Sequence, residues 1–180
     1  MPSTPIYGLP YPSLTDPPNG PAQFQALAEA IETELARIDA VLVGTPITQV
    51  AAVAATVSTT STSYVALSGN PGLAFTAPTS GRVVITIGGA LTGSAADTFA
   101  MMGLQVRTGN VVGSGTIVYA ANNNDAVSNE GGDDMSASKV TLVTGLTAGD
   151  PYNVQVLYKV LSGTGTAFFA RRDVIVESVA

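Results

Sequence analysis

Seven of the eleven prolines fall within the first 21 of 180 residues, and this clustering constrains the chain more than any other feature. Proline fixes φ and removes a backbone donor, so residues 1–20 are predicted to form neither a helix nor a central strand and to run as an extended anchoring arm with turns. Ile6, Tyr7, Leu9, Tyr11 and Leu14 lie along it, more apolar side chains than an inert linker carries. Either they fold back on their own domain or they fill pockets on another protein, a mode favoured by the low conformational entropy of a stiff segment.

The arm ends in a helix start. Asn19 and Gly20 precede Pro21, and proline at the first helical position costs no hydrogen bond. A helix is predicted over 21–44, with Gly44 and Pro46 as its stop. Its apolar residues Phe24, Ala28, Ile31, Leu35, Ile38 and Leu42 alternate spacings of four and three. That is a heptad seam, with leucine at a and isoleucine at d favouring trimers or tetramers. Glu29, Glu32, Arg37 and Asp39 lie opposite. A single amphipathic helix lying on its own β-domain is the alternative, because about three heptads do not separate the two.

From residue 45 to 180 the vocabulary changes to Val, Thr, Ile, Tyr and Gly in short runs with turn residues about every ten positions, the pattern of a β-sandwich. Strands are expected near Gln49–Ser58, Ser63–Leu67, Leu73–Ala77, Gly81–Leu91, Ala100–Arg107, Val111–Ala121, Ser138–Val143, Tyr152–Val160, Thr166–Ala170 and Arg172–Val179. Val83, Ile85 and Ile87 share one face; Val140 and Leu142 share another; Val154, Val156, Tyr158 and Val160 form a third row. Thr108-Gly109-Asn110 reads as a tight hairpin. The fold class is therefore mainly β: a jelly-roll-like sandwich preceded by an arm and one amphipathic helix.

Composition limits the chemistry. The chain has no His, Cys or Trp, which removes Ser-His-Asp and Cys-His catalysis and His- or Cys-ligated zinc. The phosphate-cradling, dinucleotide-binding and nucleophile-elbow glycine motifs are absent from the sequence as well. Neither a catalytic role nor a cofactor is expected. A net charge of -6, with seven basic residues spread along the chain, argues against nucleic acid as a partner. The sequence has no stretch approaching the ~20 apolar residues of a membrane span, and its start does not read as a secretory signal. Only 11% of residues are charged, against about 25% in ordinary domains, so the surface is covered by Ser, Thr, Asn and Gly.

One polar cluster stands out between Ala121 and Ala137. Asn122, Asn124, Asp125, Glu130, Asp133 and Asp134 surround Gly131-Gly132 there. The oxygens suit calcium, but the spacing does not match a calcium loop, and the stretch reads as a solvated loop at one end of the sandwich and as the candidate exposed binding loop. Adjacent carboxylates point apart and no sugar-stacking aromatic lies nearby, which argues against glycoside hydrolysis. Arg171-Arg172 is the only basic pair, and with Asp173 beside it the pair reads as a subunit contact or solvated strand end.

Taken as an ordered set, Tyr7-Gly8-Leu9, Tyr11-Pro12, Thr15-Asp16 and Pro18-Asn19-Gly20-Pro21 ahead of an amphipathic helix resemble the opening of small virion proteins of tailed phages infecting actinobacteria. The resemblance covers about the first 40 residues. More loosely, FTAPTSGRVVITIGG and the RRDVIVES ending look like the jelly-roll or TNF-like tips of phage fibre and decoration proteins. The resemblance implies a homotrimer on the outer surface of the virion, with the arm attached to the major capsid protein or another virion protein and the β-domain outward. It implies a capsid decoration protein or short head fibre; a tail fibre or minor tail protein with a receptor- or glycan-binding tip facing the host cell surface is the alternative. No catalytic residue is carried over.

Overall fold

The computed structural model describes residues 20–43 and 48–179, with side chains over 22–36 and 48–179. The arm residues Ile6, Tyr7, Leu9, Tyr11 and Leu14 lie outside the described residues, as do the side chains of Ile38 and Leu42. The chain divides into two units, Met1–Thr45 and Pro46–Ala180.

In the first unit, α1 spans Gly20–Val43, about 36 Å at ~1.5 Å per residue. Gln25 donates to the Glu29 carboxylate at 2.8 Å, and the Thr33 hydroxyl bonds back to the Glu29 carbonyl at 2.8 Å. Its first turn has no acidic residue and its last no basic one, so the macrodipole is uncompensated at both ends. Such a helix depends on packing its apolar face.

In the second unit the strands are β1 (Gln49–Val53), β2 (Val57–Thr59), β3 (Gly72–Thr76), β4 (Val83–Gly93), β5 (Phe99–Thr108), β6 (Ile117–Tyr119), β7 (Ala126–Glu130), β8 (Met135–Val143), β9 (Pro151–Val160) and β10 (Ala167–Ser178). All described pairings are antiparallel. One sheet runs β1-β10-β4-β8, with β2 continuing the β1 edge along β10; the other runs β3-β9-β5, with β6 and β7 sharing the far edge of β5. Counting β1 with β2, and β6 with β7, as single interrupted strands gives eight positions. Their orders are 1-8-3-6 and 2-7-4-5, the winding of a jelly roll.

The core lies between the two sheets. Val83, Ile85, Ile87 and Leu91 of β4 and Phe169, Val174 and Val176 of β10 meet Met102, Leu104 and Val106 of β5 and Val154, Val156, Tyr158 and Val160 of β9. Tyr158 and Phe169 pack with ring centroids 4.7 Å apart, Phe75 and Tyr152 at 6.0 Å.

Six local expectations are corrected. Ser63–Leu67 forms no strand, only a single bridge between Val65 and Tyr158 on the β9 edge. Val111–Ala121 contracts to β6, and Thr108-Gly109-Asn110 is not a tight hairpin, because the backbone loops through residues 109–116. The loop is tied down at Gly115, whose φ of 93° and approach to the Thr108 carbonyl leave no room for a Cβ, which would sit 1.9 Å from that oxygen. Ala126–Glu130, read as loop, is β7, with Val127 buried against the core. Lastly, the final two strands are one: β10 runs through a bulge in which Arg171 and Arg172 together oppose Gly89 between the pairs Ala170–Ala90 and Asp173–Gly88. Across from that bulge the β1 edge breaks at residues 54–56, which splits the expected strand Gln49–Ser58 in two.

Candidate functional site

The described part of the α1 seam is exposed. Phe24 is 74%, Ile31 41% and Leu35 56% exposed, and Ala28 is exposed beside them. Leu27 and Ala30, off the seam, are half-buried. The seam thus presents about three turns of large apolar side chains to solvent, an arrangement that burial against another helix would stabilise by ~1.5–3 kcal/mol per large side chain.

The polar stretch from Ala121 to Ala137 is not one site. β7 runs from Ala126 to Glu130 and so carries the chain from Asn122, Asn124 and Asp125 to Glu130, Asp133 and Asp134, five steps or about 17 Å at ~3.4 Å each. At the first end the Asn122 carboxamide oxygen accepts from the Asn124 and Asp125 amides at 3.0 and 3.1 Å, closing a local turn. The Asp125 carboxylate accepts from the Tyr119 hydroxyl and, at 3.2 Å, from Asn122. The Tyr119 hydrogen bond, then that from Asn122, holds the Asp125 carboxyl below its ordinary range. At the other end Glu130 closes β7 opposite Phe99. Asp134 pairs with Arg171 at 3.2 Å with both side chains largely exposed, a geometry worth little. Among the described residues no group of three or more His, Cys, Asp or Glu is placed to hold a metal ion.

Sequence reading missed the buried polar core. Arg172, expected at a subunit contact or solvated strand end, is fully buried. Its guanidinium donates to the Tyr158 hydroxyl at 3.1 Å and to the carbonyls of Ala55 and Gly69 at 3.0 and 3.3 Å. It also lies 5.5 Å from the centre of the Tyr158 ring. Tyr158 in turn donates to the Asn70 carboxamide oxygen at 2.8 Å. Burial pushes the Tyr158 phenol up to about 12, with Arg172 pulling the other way. None of the described partners of Arg172 is a carboxylate. The network ties the break in the β1 edge and the turn before β3 to the two central strands; its role is architectural.

The two outer faces of the sandwich differ. Over β5 and β9 the chain lays its own loops: Asn153 donates to the carbonyls of Gly109 and Ser114 at 3.0 and 3.1 Å, and Gln155 bonds Gln105 at 2.9 Å. Tyr64 packs over Gly103, and Met101, Gln105, Asn153 and Gln155 are buried as a result. On the outer face of β1-β10-β4-β8 no described loop of the β-domain is laid across the strands. Val50 of β1, Ile175 of β10, Thr86 of β4 and Val140 of β8 stand in one row, and Val84 and Leu142 continue it. Val50, Val140 and Leu142 are 60%, 59% and 52% exposed. Towards the bulge the face becomes a shallow groove lined by Gly88, Ala90, Ser136, Ser138 and Asp173.

No protein family matches the chain, and no curated protein sequence is similar to it. Among solved structures it is similar to a chain in the structure of infectious bursal disease virus Gx strain, at 12% identity and a TM-score of 0.42, over 74% of this chain and 33% of that one. It is also similar to the CBM22-1 xylan-binding domain from Paenibacillus barcinonensis Xyn10C, at 12% identity and a TM-score of 0.38, over 76% of this chain and 88% of that one. The chain spans about a third of the length of the viral chain. Neither likeness carries an argument about function. No described helix is long and apolar enough to cross a membrane.

Proposed function

We propose that this chain is a non-enzymatic structural protein of a tailed-phage virion, a homotrimeric capsid decoration protein or short head fibre. The observation that carries the reading is the exposed heptad seam of Phe24, Ala28, Ile31 and Leu35 on a chain whose opening motifs resemble those of small phage virion proteins. In this reading Ile6, Tyr7, Leu9, Tyr11 and Leu14 of the arm dock on the major capsid protein or another virion protein, α1 joins three copies, and the jelly roll faces outward. The polar, weakly charged surface of the β-domain suits packing among symmetric neighbours, and the net charge of -6 keeps the head off nucleic acid. The test is copy number per purified particle by quantitative gel densitometry. Hundreds of copies are expected; a few to a few tens would move the protein to the tail and overturn the decoration reading.

A further inference from the structure

We propose that the exposed outer face of the β1-β10-β4-β8 sheet is where the β-domains of neighbouring copies of this chain pack on one another. The inference rests on the trimeric reading above and adds a second contact to it. Its first support is the asymmetry of the sandwich: loops bury Met101, Gln105, Asn153 and Gln155 on one outer face, while the other leaves Val50, Val140 and Leu142 more than half exposed. The open face is about the size of the largest apolar patch on an ordinary monomer, which is often a functional surface.

Edge pairing at β8 is not the use of this surface. On β8, one of the sheet's two edges, Lys139 pairs with Ile87 and shares the core-side face, and an inward-pointing lysine blunts addition of a further strand. Association is through the face. About three strand spacings across and six residues along cover roughly 300–400 Å², short of the ~800 Å² per partner typical of a stable pair. The face therefore suffices only between molecules already held together by another contact. The heptad seam on the same chain supplies one, because tethering raises the effective concentration of the second contact. The occupant is accordingly another copy of this chain, brought to the face by the seam.

The shape of the face agrees. Three-fold contacts are heterologous, so each copy needs two unlike surfaces. Here Val140 and Leu142 form a ridge along β8, while Ala52, Gly88 and Ser138, level with one another across the strands, form a low floor. The ridge of one copy seats on the floor of the next.

The chain has no cysteine, so single introduced thiols report cleanly. In the full chain Val140→Cys, with Leu142→Cys as a second probe, is compared with Val118→Cys on β6, which is 45% exposed, by maleimide labelling alongside sedimentation. Expected are trimer mass, at least tenfold slower labelling at 140 and 142 than at 118, and a covalent ladder of dimers and trimers on oxidising an Ala52→Cys, Val140→Cys double variant. The two positions lie about 16 Å apart within one sheet, three strand spacings across and two residues along, beyond the ~7 Å reach of an intrachain disulfide. Trimer mass with equal labelling at all three sites overturns the inference and leaves the trimer standing. Monomer mass overturns both. Protection of 140 and 142 only on assembled particles assigns the face to another virion protein and also overturns the inference.

Discussion

The guanidinium of Arg172 donates to the hydroxyl of Tyr158 at 3.1 Å inside the sandwich, with both residues fully buried. This bond crosses between the sheets, since Arg172 belongs to β10 and Tyr158 to β9. A charge held in the interior by neutral acceptors alone stays only where each of them is well placed.

Adjacent arginines should therefore answer substitution in opposite ways. Arg172→Met orphans the Ala55 and Gly69 carbonyls and leaves Tyr158 without its donor, and is expected to cost about 2–4 kcal/mol in urea unfolding. Arg171, exposed and held at φ 48°, loses only a weak surface pair. Arg171→Gly relieves left-handed strain and should leave stability within about 0.5 kcal/mol or raise it. Equal losses at the two positions would contradict the network.

Alkaline pH should expose the Tyr158 environment. Its phenol ionises near 10.0 when unfolded and at about 12 when folded, so the folded state favours the neutral form. That contribution is complete below pH 10 and is lost as pH rises through 12. A shift of this size corresponds to roughly 3 kcal/mol. Unfolding free energies measured between pH 9 and 12 should fall steeply for the wild type and less steeply for Tyr158→Phe.

At the other end of pH, Asp125 should respond to Tyr119. With its carboxyl held low by that hydroxyl, the contribution is present above the ordinary value of 3.8 and is lost as pH falls through the depressed one. Tyr119→Phe should return the Asp125 titration, followed by carboxyl NMR shifts, towards the ordinary value. The stability cost should stay below ~1 kcal/mol because the site is exposed.

Two glycines of one loop separate strain from clash. Gly109 and Gly115 have φ of 90° and 93°, yet a Cβ at 109 meets nothing within 4 Å while one at 115 meets the Thr108 carbonyl at 1.9 Å. Gly109→Ala should cost about 1 kcal/mol by thermal or urea unfolding and Gly115→Ala at least twice that.

Charge placed in the seam of α1 tests the stalk. Ile31→Asp with Ile38→Asp should reduce trimer mass in sedimentation while leaving the far-ultraviolet β signal of the head unchanged. Unaltered mass and affinity would return the seam to a contact within its own chain.

What sequence alone determined was whatever repeats locally. Heptad spacing ran through Phe24, Ala28, Ile31 and Leu35, and alternation marked Val83, Ile85 and Ile87 and the row from Val154 to Val160, because helix and strand periods are properties of consecutive residues. Sequence also marked Val140 and Leu142 as sharing a face. Only pairing with β4, which sets Val140 opposite Thr86 and Leu142 opposite Val84, decided that this face points away from the core: alternation defines two sides and does not say which one another sheet covers. Arg172 is the same lesson at a single residue. Next to Arg171 and Asp173 it reads as surface, and one extra residue in the β10 bulge, invisible to any local period, turns it inward to partners at positions 55, 69 and 158.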